Sequence, residues 1–380
     1  MLEARDELTA PAIPTAVLER LPTPCLVVDV AACERNIGRA AGLFTDSLVK
    51  LRPHFKAHKC VELMRRQLAA GSCVGVTCAT AAEAETLAGG GFVDILVANQ
   101  IVHRAGLSAL ARAAQRSRIT VAIDDLAHVS LLRDEAERSS ARFEVLIEID
   151  VGMSRCGLEP GSDALDALAE AVATSEALEL RGLQGYEGHA VLCPGRDERR
   201  ELVRRAGEIL ANERSRLQTR GHRCSIVSGG GTGTIDLVTE VGVLDEVQAG
   251  SYALMDASYG CLDLPFENAL FMATTVISHP RSDLMTVNAG LKALSAEYGM
   301  PIAVAEGLEI LELSDEHATA SVGTGASVAI GAPVFLVPAH IDPTINLHDV
   351  MFAWDGVRKT LDVWPVDGRR AEASEALIRQ

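Results

Sequence analysis

Between about Lys50 and Asp256, short apolar runs alternate with longer segments in which apolar residues recur every three or four positions. The short runs have the length of buried strands. The longer segments, such as Val61–Ala70, Ala81–Ala88 and Asp197–Arg216, have the period of amphipathic helices. The pattern predicts eight strands, which are Val49–Pro53, Val74–Cys78, Asp94–Ala98, Thr120–Asp124, Glu144–Asp150, Leu180–Tyr186, Cys224–Ser228 and Glu246–Ser251.

Eight parallel strands, each followed by a helix, within about 200 residues predict an α/β fold of the (β/α)8 TIM-type barrel class. The alternative is an open, doubly wound sheet. The short strands end in polar residues, which favours the barrel, because the active sites of barrel enzymes lie at the C-terminal ends of the strands.

Beyond about Tyr259 the predicted strands are no longer separated by long helices, which indicates an antiparallel β domain. The early strand Cys25–Val30, before a first helix at Val30–Leu43, has no place in the barrel, and we expect it to join this domain. We therefore predict a barrel domain at residues 31–258 and a β domain at residues 1–30 and 259–380. The strands predicted for the β domain are Leu270–Ser278, Leu284–Asn288, Leu308–Leu313, Ala318–Val322, Val334–Pro338, Val350–Asp355 and Thr360–Val366.

Composition and charge argue against several classes of partner and location. The chain has 380 residues, 48% of them hydrophobic, and a net charge of −17, which argues against nucleic acid or an anionic membrane as a partner. No apolar run reaches the roughly 20 residues of a membrane span, and the segment 1–7 is too acidic for a signal or transit peptide. The nine cysteines show no CxxC spacing and mostly have apolar neighbours, which predicts reduced thiols in a cytoplasmic protein.

The segment Lys50–Lys59 carries the most unusual chemistry, because it combines three lysines, two histidines and one arginine. On a strand, Lys50, Arg52, His54 and Lys56 would point to one face. Such a row of cations is costly unless it meets an anionic ligand or carboxylates. A lysine at the end of the strand is a candidate for Schiff-base formation, although a solvated basic edge strand is the simpler alternative.

Two glycine-containing segments follow the seventh and eighth predicted strands. They are Ser228–Thr234, with the sequence SGGGTGT, and Gln248–Tyr252, with the sequence QAGSY. Glycines allow backbone N–H groups to converge on an anion, and threonine hydroxyls can also donate. Barrels often bind phosphate at these two strand ends, so we predict a phosphate site, with ordinary turns as the alternative.

The ends of the fifth and sixth strands supply two further candidates. Arg155, between glycines, can reach a cofactor oxygen or form a salt bridge with Asp150 or Glu148. Tyr186 can pack on, or hydrogen-bond to, a cofactor ring, or it can be an ordinary core residue.

A candidate metal site lies in the β domain. His340 and Asp342 are two positions apart, so a strand would place both on one face. One imidazole and one carboxylate, completed by water and substrate oxygens, suit Mn²⁺, Mg²⁺, Co²⁺ or Zn²⁺. The alternative is a His–Asp hydrogen bond near a turn, and the neighbouring pair His348–Asp349 ranks second.

Together these segments resemble the fold-type III pyridoxal-phosphate enzymes, and within them the D-threonine aldolase and 3-hydroxy-D-aspartate aldolase group. The resemblance extends from Thr23 to Val366. The segments that carry it are Arg52–Lys59, Glu148–Gly152, Ser228–Gly233, Gln248–Tyr252, Ala289–Ala293 and His340–Thr344.

The resemblance implies a barrel that holds pyridoxal phosphate, a β domain, and a homodimer. It places the covalent attachment of the cofactor on Lys56, the first lysine after Arg-Pro-His, and the metal ligands on His340 and Asp342. It assigns the other cofactor contacts to His54, Arg155, Tyr186, Ser228, Thr232, Gly233, Gly250, Ser251 and Tyr252.

The sequence departs from the group after the sixth strand. The aldolases typically read Tyr-His-Gly or Tyr-Gln-Gly there, with a further His six residues beyond the Tyr. That His is a candidate for the proton-abstracting base, but this chain has Glu187 after Tyr186 and Leu192 at the sixth position. His189 lies in the same loop and is our candidate for the base.

The implied reaction is the metal-assisted retro-aldol cleavage of a D-β-hydroxy-α-amino acid to glycine and an aldehyde. One alternative is a dehydratase on the same scaffold that releases ammonia; the related dehydratases tend to carry Cys as the second metal ligand, so Asp342 favours the aldolases. Another is a non-catalytic cofactor carrier, which would usually lack the β domain. An amino-acid racemase, expected to use a Tyr base and no metal, is a lesser alternative.

Overall fold

The computed structural model describes residues 8–324, 326 and 328–369. The acidic segment at residues 1–7, on which the targeting prediction depends, lies outside the described residues. The chain divides into two compact units. The barrel unit comprises Ala40–Lys56 and Leu63–Gly250, and the β unit comprises Met1–Arg39, Ala57–Glu62 and Ser251–Gln380.

The strands follow the predicted positions closely. They are β1 (Cys25–Asp29), β2 (Lys50–Leu51), β3 (Val76–Cys78), β4 (Asp94–Val97), β5 (Arg118–Ile123), β6 (Phe143–Glu148), β7 (Leu178–Gly185), β8 (Ile226–Gly229), β9 (Glu246–Val247), β10 (Leu270–Arg281), β11 (Leu284–Val287), β12 (Ile302–Ala303), β13 (Leu308–Leu313), β14 (Ala318–Val322), β15 (Pro333–Val337), β16 (Val350–Asp355) and β17 (Thr360–Pro365).

The helices of the described residues lie before, between and after the barrel strands. They are α1 (Thr15–Leu18), α2 (Val30–Leu43), α3 (Val61–Ala69), α4 (Ala81–Gly89), α5 (Arg104–Ala114), α6 (Leu126–Ser139), α7 (Ala164–Ala173), α8 (Arg196–Thr219), α9 (Leu237–Val241), α10 (Ala257–Gly260) and α11 (Ile341–Ile345). Local chemistry sets their ends: at the start of α4, the Thr80 hydroxyl accepts from Glu83 N, and the Glu83 carboxylate accepts from Ala79 N.

The barrel prediction is confirmed. The eight strands β2 to β9 form one parallel sheet in the order β2-β9-β8-β7-β6-β5-β4-β3. Parallel bridges between Leu51 and Cys73 and between His54 and Thr77 join the two end strands. The open sheet is therefore wrong for this chain. The central strands are buried on both faces, which explains their continuous apolar runs.

A chain of ion pairs links Arg52, directly after β2, with charged residues of the strands β4, β5, β6, β7 and β9. Buried Arg52 lies 2.9 Å from Asp94 and 2.8 Å from Glu246. Arg118 pairs with Asp94 and lies 3.8 Å from Glu144, which pairs in turn with Arg181 at 2.5 Å. The basic strand thus meets carboxylates, which compensates the cost of burying Arg52.

In the β unit, the main sheet has the order β13-β14-β11-β10-β1-β16-β17, and β15 pairs with both β10 and β12. As expected, β1 joins this sheet: it pairs antiparallel with β10 and parallel with β16. The other pairings are antiparallel. One core cluster packs Val27, Phe271, Val337 and Trp354 between these elements. The two-residue strand β12 was not predicted, because it is too short to show a period.

All nine cysteines are free thiols, and Cys25, Cys33, Cys60, Cys78 and Cys224 are buried, which agrees with the predicted absence of a disulfide framework. Across the described residues, no helix has both the length and the apolar character needed to cross a membrane.

Candidate active site

Lys56 follows the first barrel strand but does not lie on it. The strand β2 ends at Leu51, and Phe55–Ala57 form a 3-10 turn that carries Lys56. The strand-parity argument for Lys56 is therefore wrong, because Pro53 lies just beyond the strand end and removes a backbone donor. His54, which is buried, still lies in barrel register: its N–H donates to Ala249 O at 3.0 Å, and its Nδ1 accepts from Lys56 N at 3.4 Å.

Two cations face the ring of Tyr186. The Nζ of Lys56 lies 5.9 Å from the ring centroid, and the Cζ of Arg155 lies 5.4 Å from it. Both distances are within the range of cation–π attraction. Tyr186 directly follows β7, and Arg155 lies in the loop after β6. The sixth and fifth barrel strands thus bring an aromatic ring and a guanidinium to the same side as the lysine.

Polar side chains at the C-terminal ends of the barrel strands form a hydrogen-bond network. The Gln100 amide donates to Glu148 at 2.6 Å and to Asp124 at 3.2 Å, and the Gln248 amide donates to Gln184 at 3.1 Å and to the Ser228 hydroxyl at 2.8 Å. Burial raises the pKa of the Glu148 carboxyl, and the Gln100 hydrogen bond and the Arg155 charge offset part of this rise. These interactions explain why polar residues occur at the ends of otherwise apolar strands.

The glycine-rich loop forms a compact turn after β8. Thr232–Thr234 make a 3-10 turn, and Thr232 and Thr234 are buried. A Cβ added at Gly233 would lie 1.8 Å from the carbonyl oxygen of Val191. This close backbone approach requires glycine at position 233.

Glu187 holds this loop from the neighbouring strand end. Its carboxylate is fully buried; it accepts from Gly230 N at 3.1 Å and from the Thr234 hydroxyl at 2.7 Å. Burial raises the pKa of Glu187, and the two hydrogen bonds offset only part of the rise. Sequence reasoning identified Glu187 as a departure from the aldolase pattern but did not predict its partner, 47 positions away.

The segment after β9 contributes a second turn, a 3-10 turn at Ser251–Ala253 that directly follows Gly250. The Ser251 hydroxyl lies 3.4 Å from Oδ1 of Asp342. The side chain of Tyr252 is buried, and its ring centroid lies 5.7 Å from that of Phe266.

His189, the candidate base, is exposed in the loop after β7. Its ring lies against Gly152, which has a φ of +121°, and a Cβ at position 152 would approach the ring to 3.1 Å. Both the positive φ and this contact favour glycine at position 152.

His340 and Asp342 come together on a helix start rather than on a strand. The strand β15 ends at Val337, His340 is the N-cap of α11 in an extended conformation, and Asp342 lies in the first turn. The one-strand geometry predicted for this pair is therefore wrong, but Nε2 of His340 lies 3.6 Å from Oδ1 of Asp342. Burial alone would lower the pKa of His340, but Asp342 and Glu297 outweigh it and raise the pKa to about 9.

Two acidic residues that sequence reasoning missed support this pair. Glu297 Oε2 lies 2.9 Å from Nδ1 of His340. The buried Asp256 accepts from Ile341 N, between the two candidate ligands, at 3.1 Å and from Tyr259 N at 2.9 Å. Burial raises the pKa of Asp256 to about 6. An N-cap pattern could have identified Asp256, but no periodicity connects Glu297 with His340.

The side chains of the second-ranked pair, His348 and Asp349, have other partners. Nε2 of His348 lies 2.8 Å from the carbonyl oxygen of Ala293, and the exposed Asp349 pairs with Arg369. His348 is therefore engaged by the backbone.

The residues present fit the implied groups. Two donors that each bind a divalent ion at about 2.0–2.2 Å can be at most about 4.4 Å apart, and His340 and Asp342 are within that limit. In residues 8–324, 326 and 328–369, no three His, Cys, Asp or Glu side chains cluster as a metal site. In the barrel unit, an amine, a guanidinium, an aromatic ring and a hydroxyl-rich turn suit a cofactor with an aldehyde, an aromatic ring and a phosphate.

Known proteins resemble this chain along most of its length. The family profile described as "Alanine racemase, N-terminal domain" matches residues 28–258, and a serine dehydratase domain profile matches residues 269–354. The D-threonine aldolase of Arthrobacter sp is 39% identical to this chain, over 95% of this chain and 96% of the relative. The 3-hydroxy-D-aspartate aldolase of Paracoccus denitrificans strain Pd 1222 is 34% identical, over 94% and 95% respectively.

A solved structure shows the same likeness in three dimensions. The crystal structure of D-threonine aldolase from Filomicrobium marinum matches this fold with a TM-score of 0.88 and 37% sequence identity. The match covers 92% of this chain and 96% of that chain.

Proposed function

Because this chain belongs to the D-threonine aldolase and 3-hydroxy-D-aspartate aldolase group of alanine racemase-like enzymes, and is a lyase of that group, we propose that it cleaves D-β-hydroxy-α-amino acids of the D-threonine type to glycine and an aldehyde. The observation that carries this proposal is the pairing of His340 with a carboxylate, Asp342, at 3.6 Å. A carboxylate at this position distinguishes the aldolase pattern from the Cys that the related dehydratases tend to carry.

We assign the cofactor, which the family implies to be pyridoxal phosphate, to the predicted barrel domain at residues 31–258. Lys56 would bind it covalently; Arg155 and Tyr186 would face the ring; His54 would contact its oxygens. The phosphate would be held after β8 and β9, with contacts among Ser228, Thr232, Gly233, Gly250, Ser251 and Tyr252. When bound, the cofactor withdraws electrons from the carbon whose bond to Cβ is cleaved.

We assign a divalent metal, one of Mn²⁺, Mg²⁺, Co²⁺ or Zn²⁺, to His340 and Asp342. When bound by these two residues, such an ion would supply a Lewis acid for the β-hydroxyl group. An imidazole and a carboxylate leave coordination positions for that oxygen, which is the arrangement of a catalytic rather than a structural site.

We assign removal of the hydroxyl proton to His189. It lies in the loop after β7 and is exposed, so it can exchange its proton with solvent. Glu187 is a poorer candidate because its carboxylate is buried and already accepts two hydrogen bonds.

One panel assay tests the reaction. The purified chain is supplied with pyridoxal phosphate and Mn²⁺, then with D- and L-threonine, phenylserine and 3-hydroxyaspartate. We expect glycine from the D-isomers. Ammonia and a keto acid in place of glycine would support a dehydratase, and no turnover of any D-isomer would contradict an aldolase of this group.

We further propose a cytoplasmic homodimer with a cofactor-binding barrel at residues 31–258 and a metal-binding β domain at residues 1–30 and 259–380. Sedimentation of the cofactor-loaded chain tests the homodimer, and a monomer at micromolar concentration would contradict it.

A further inference from the structure

Glu297 reaches His340 from a loop distant in sequence. The loop lies between β11 and β12, 43 positions before His340, and brings Glu297 Oε2 to 2.9 Å from Nδ1. The ring of Tyr298 lies next to the imidazole, with 4.9 Å between the ring centroids. The imidazole therefore has a carboxylate at one nitrogen and a tilted aromatic ring beside it.

The loop is itself fixed to the helix that carries the candidate ligands. The Thr344 hydroxyl donates to His340 O at 2.8 Å and accepts from Ser295 N at 3.1 Å. The Ser295 hydroxyl accepts from Glu297 N at 3.1 Å. Thr344, Ser295 and Glu297 thus form a short hydrogen-bonded path from the backbone of His340 back to its side chain.

The two nitrogens of His340 have different neighbours. Nδ1 faces Glu297, and Nε2 faces Oδ1 of Asp342 at 3.6 Å. A histidine that binds metal uses one nitrogen and commonly donates the N–H of the other to a carboxylate, which fixes the ring and the tautomer. The geometry leaves Nε2 as the nitrogen that would share an ion with Asp342.

We propose that Glu297 is a positioning residue for the metal: it holds His340 with the proton on Nδ1 and the lone pair of Nε2 directed toward the ion. The inference rests on the metal assignment in the proposed function. Glu297 is not itself a ligand in this arrangement, because a carboxylate bonded to Nδ1 lies on the opposite edge of the imidazole from Nε2.

Metal affinity tests this role separately from activity. Binding of Mn²⁺ to the pyridoxal-phosphate-loaded chain is followed by the EPR signal of free Mn²⁺ for the wild type, Glu297→Ala and Glu297→Gln. Glu309→Ala is the matched control, because Glu309 is also an exposed glutamate of the β unit. Asp342→Ala gives the background from other acidic side chains, which a net charge of −17 makes necessary.

We expect Glu297→Ala to weaken Mn²⁺ binding by about 10- to 100-fold, which is the usual effect of removing such a partner. Glu297→Gln should lose less, since its amide oxygen still accepts from Nδ1–H, and Glu309→Ala should bind as the wild type does. The thermal midpoint of Glu297→Ala without metal should stay close to that of the wild type, because the Glu297 side chain is 51% exposed.

Two results would overturn the inference in distinguishable ways. Equal Mn²⁺ affinity of the wild type and Glu297→Ala, both above the Asp342→Ala background, would refute the role of Glu297 and leave the metal site intact. A wild type that binds no more Mn²⁺ than Asp342→Ala would refute the metal assignment and, with it, this inference.

Discussion

The hydroxyl of Thr234 donates to the buried carboxylate of Glu187 at 2.7 Å, and this contact joins the loop after β7 to the glycine-rich turn after β8. The same hydroxyl accepts from Gly231 N at 3.2 Å. The turn proposed to hold the cofactor phosphate is therefore shaped by a carboxylate at the position where the group typically has His or Gln. The structure thus explains a glutamate at position 187, because its carboxylate accepts hydrogen bonds from the glycine-rich turn.

We expect stability to depend on pH through Glu187. Burial raises its pKa above the ordinary value of 4.5, so the folded chain binds a proton that the unfolded chain has released. Its contribution is complete below 4.5 and is lost as the pH rises through the raised pKa. The Glu187→Gln variant has no titrating group at this position. The urea concentration at its midpoint of unfolding should therefore rise relative to that of the wild type as the pH rises through this range. A difference between the two midpoints that stays constant with pH would contradict the raised pKa of Glu187.

We expect Lys56→Ala to abolish the absorbance that the lysine-bound cofactor shows at the short-wavelength end of the visible range, because no amine remains at this position. Lys56→Arg should also lose it while keeping a cation near the Tyr186 ring. Lys50→Ala is the matched control, since Lys50 donates to the carbonyl oxygen of Phe44 at 3.3 Å. An unchanged spectrum in Lys56→Ala would refute the assignment.

We expect Asp342→Ala, or chelation of the wild type, to lower kcat by about 100-fold or more while the cofactor stays bound. The physical reason is that a Lewis acid supplies several kcal/mol of charge stabilisation, and about 1.4 kcal/mol is tenfold in rate. Asp349→Ala should retain activity, because Asp349 is exposed and pairs with Arg369. Full activity of the chelated enzyme would show that the metal assignment is wrong.

We expect Arg52→Met to destabilise the barrel by about 3–5 kcal/mol, because it leaves the buried carboxylate of Glu246 and the partly buried carboxylate of Asp94 without their shared cation. Arg204→Ala is the comparison, since Arg204 pairs only with exposed glutamates on α8 and should show no measurable loss. The free energy of unfolding in urea measures both variants. A wild-type value for Arg52→Met would contradict the ion-pair chain.

Much of the fold could be predicted from the sequence. All eight barrel strands, and helices such as α3, α4 and α8, lie where the apolar period places them, within a few residues. The strand β1 was also correctly assigned to the β sheet. The apolar period predicted these positions correctly because each barrel strand is short, buried on both faces and followed by a helix with one apolar stripe.

The candidate site was predicted less completely. The site residues stay a prediction, and the backbone under Lys56 is a 3-10 turn and that under Asp342 is a helix start, where strands were expected. Periodicity fails at such points because only a few residues separate the end of a strand from the next turn. Pro53 and Pro343, which restrict the backbone in these segments, were the available signals.

The sequence by itself determined the alternation of elements and the chemistry that is available, because side-chain periods and residue types are local properties. Only the tertiary structure decided which distant groups meet: Glu297 with His340, Glu187 with Thr234, and Arg52 with Asp94 and Glu246. A period shows which face of an element is buried. It does not show which residue of another element packs against that face, because that depends on how the elements are arranged in space.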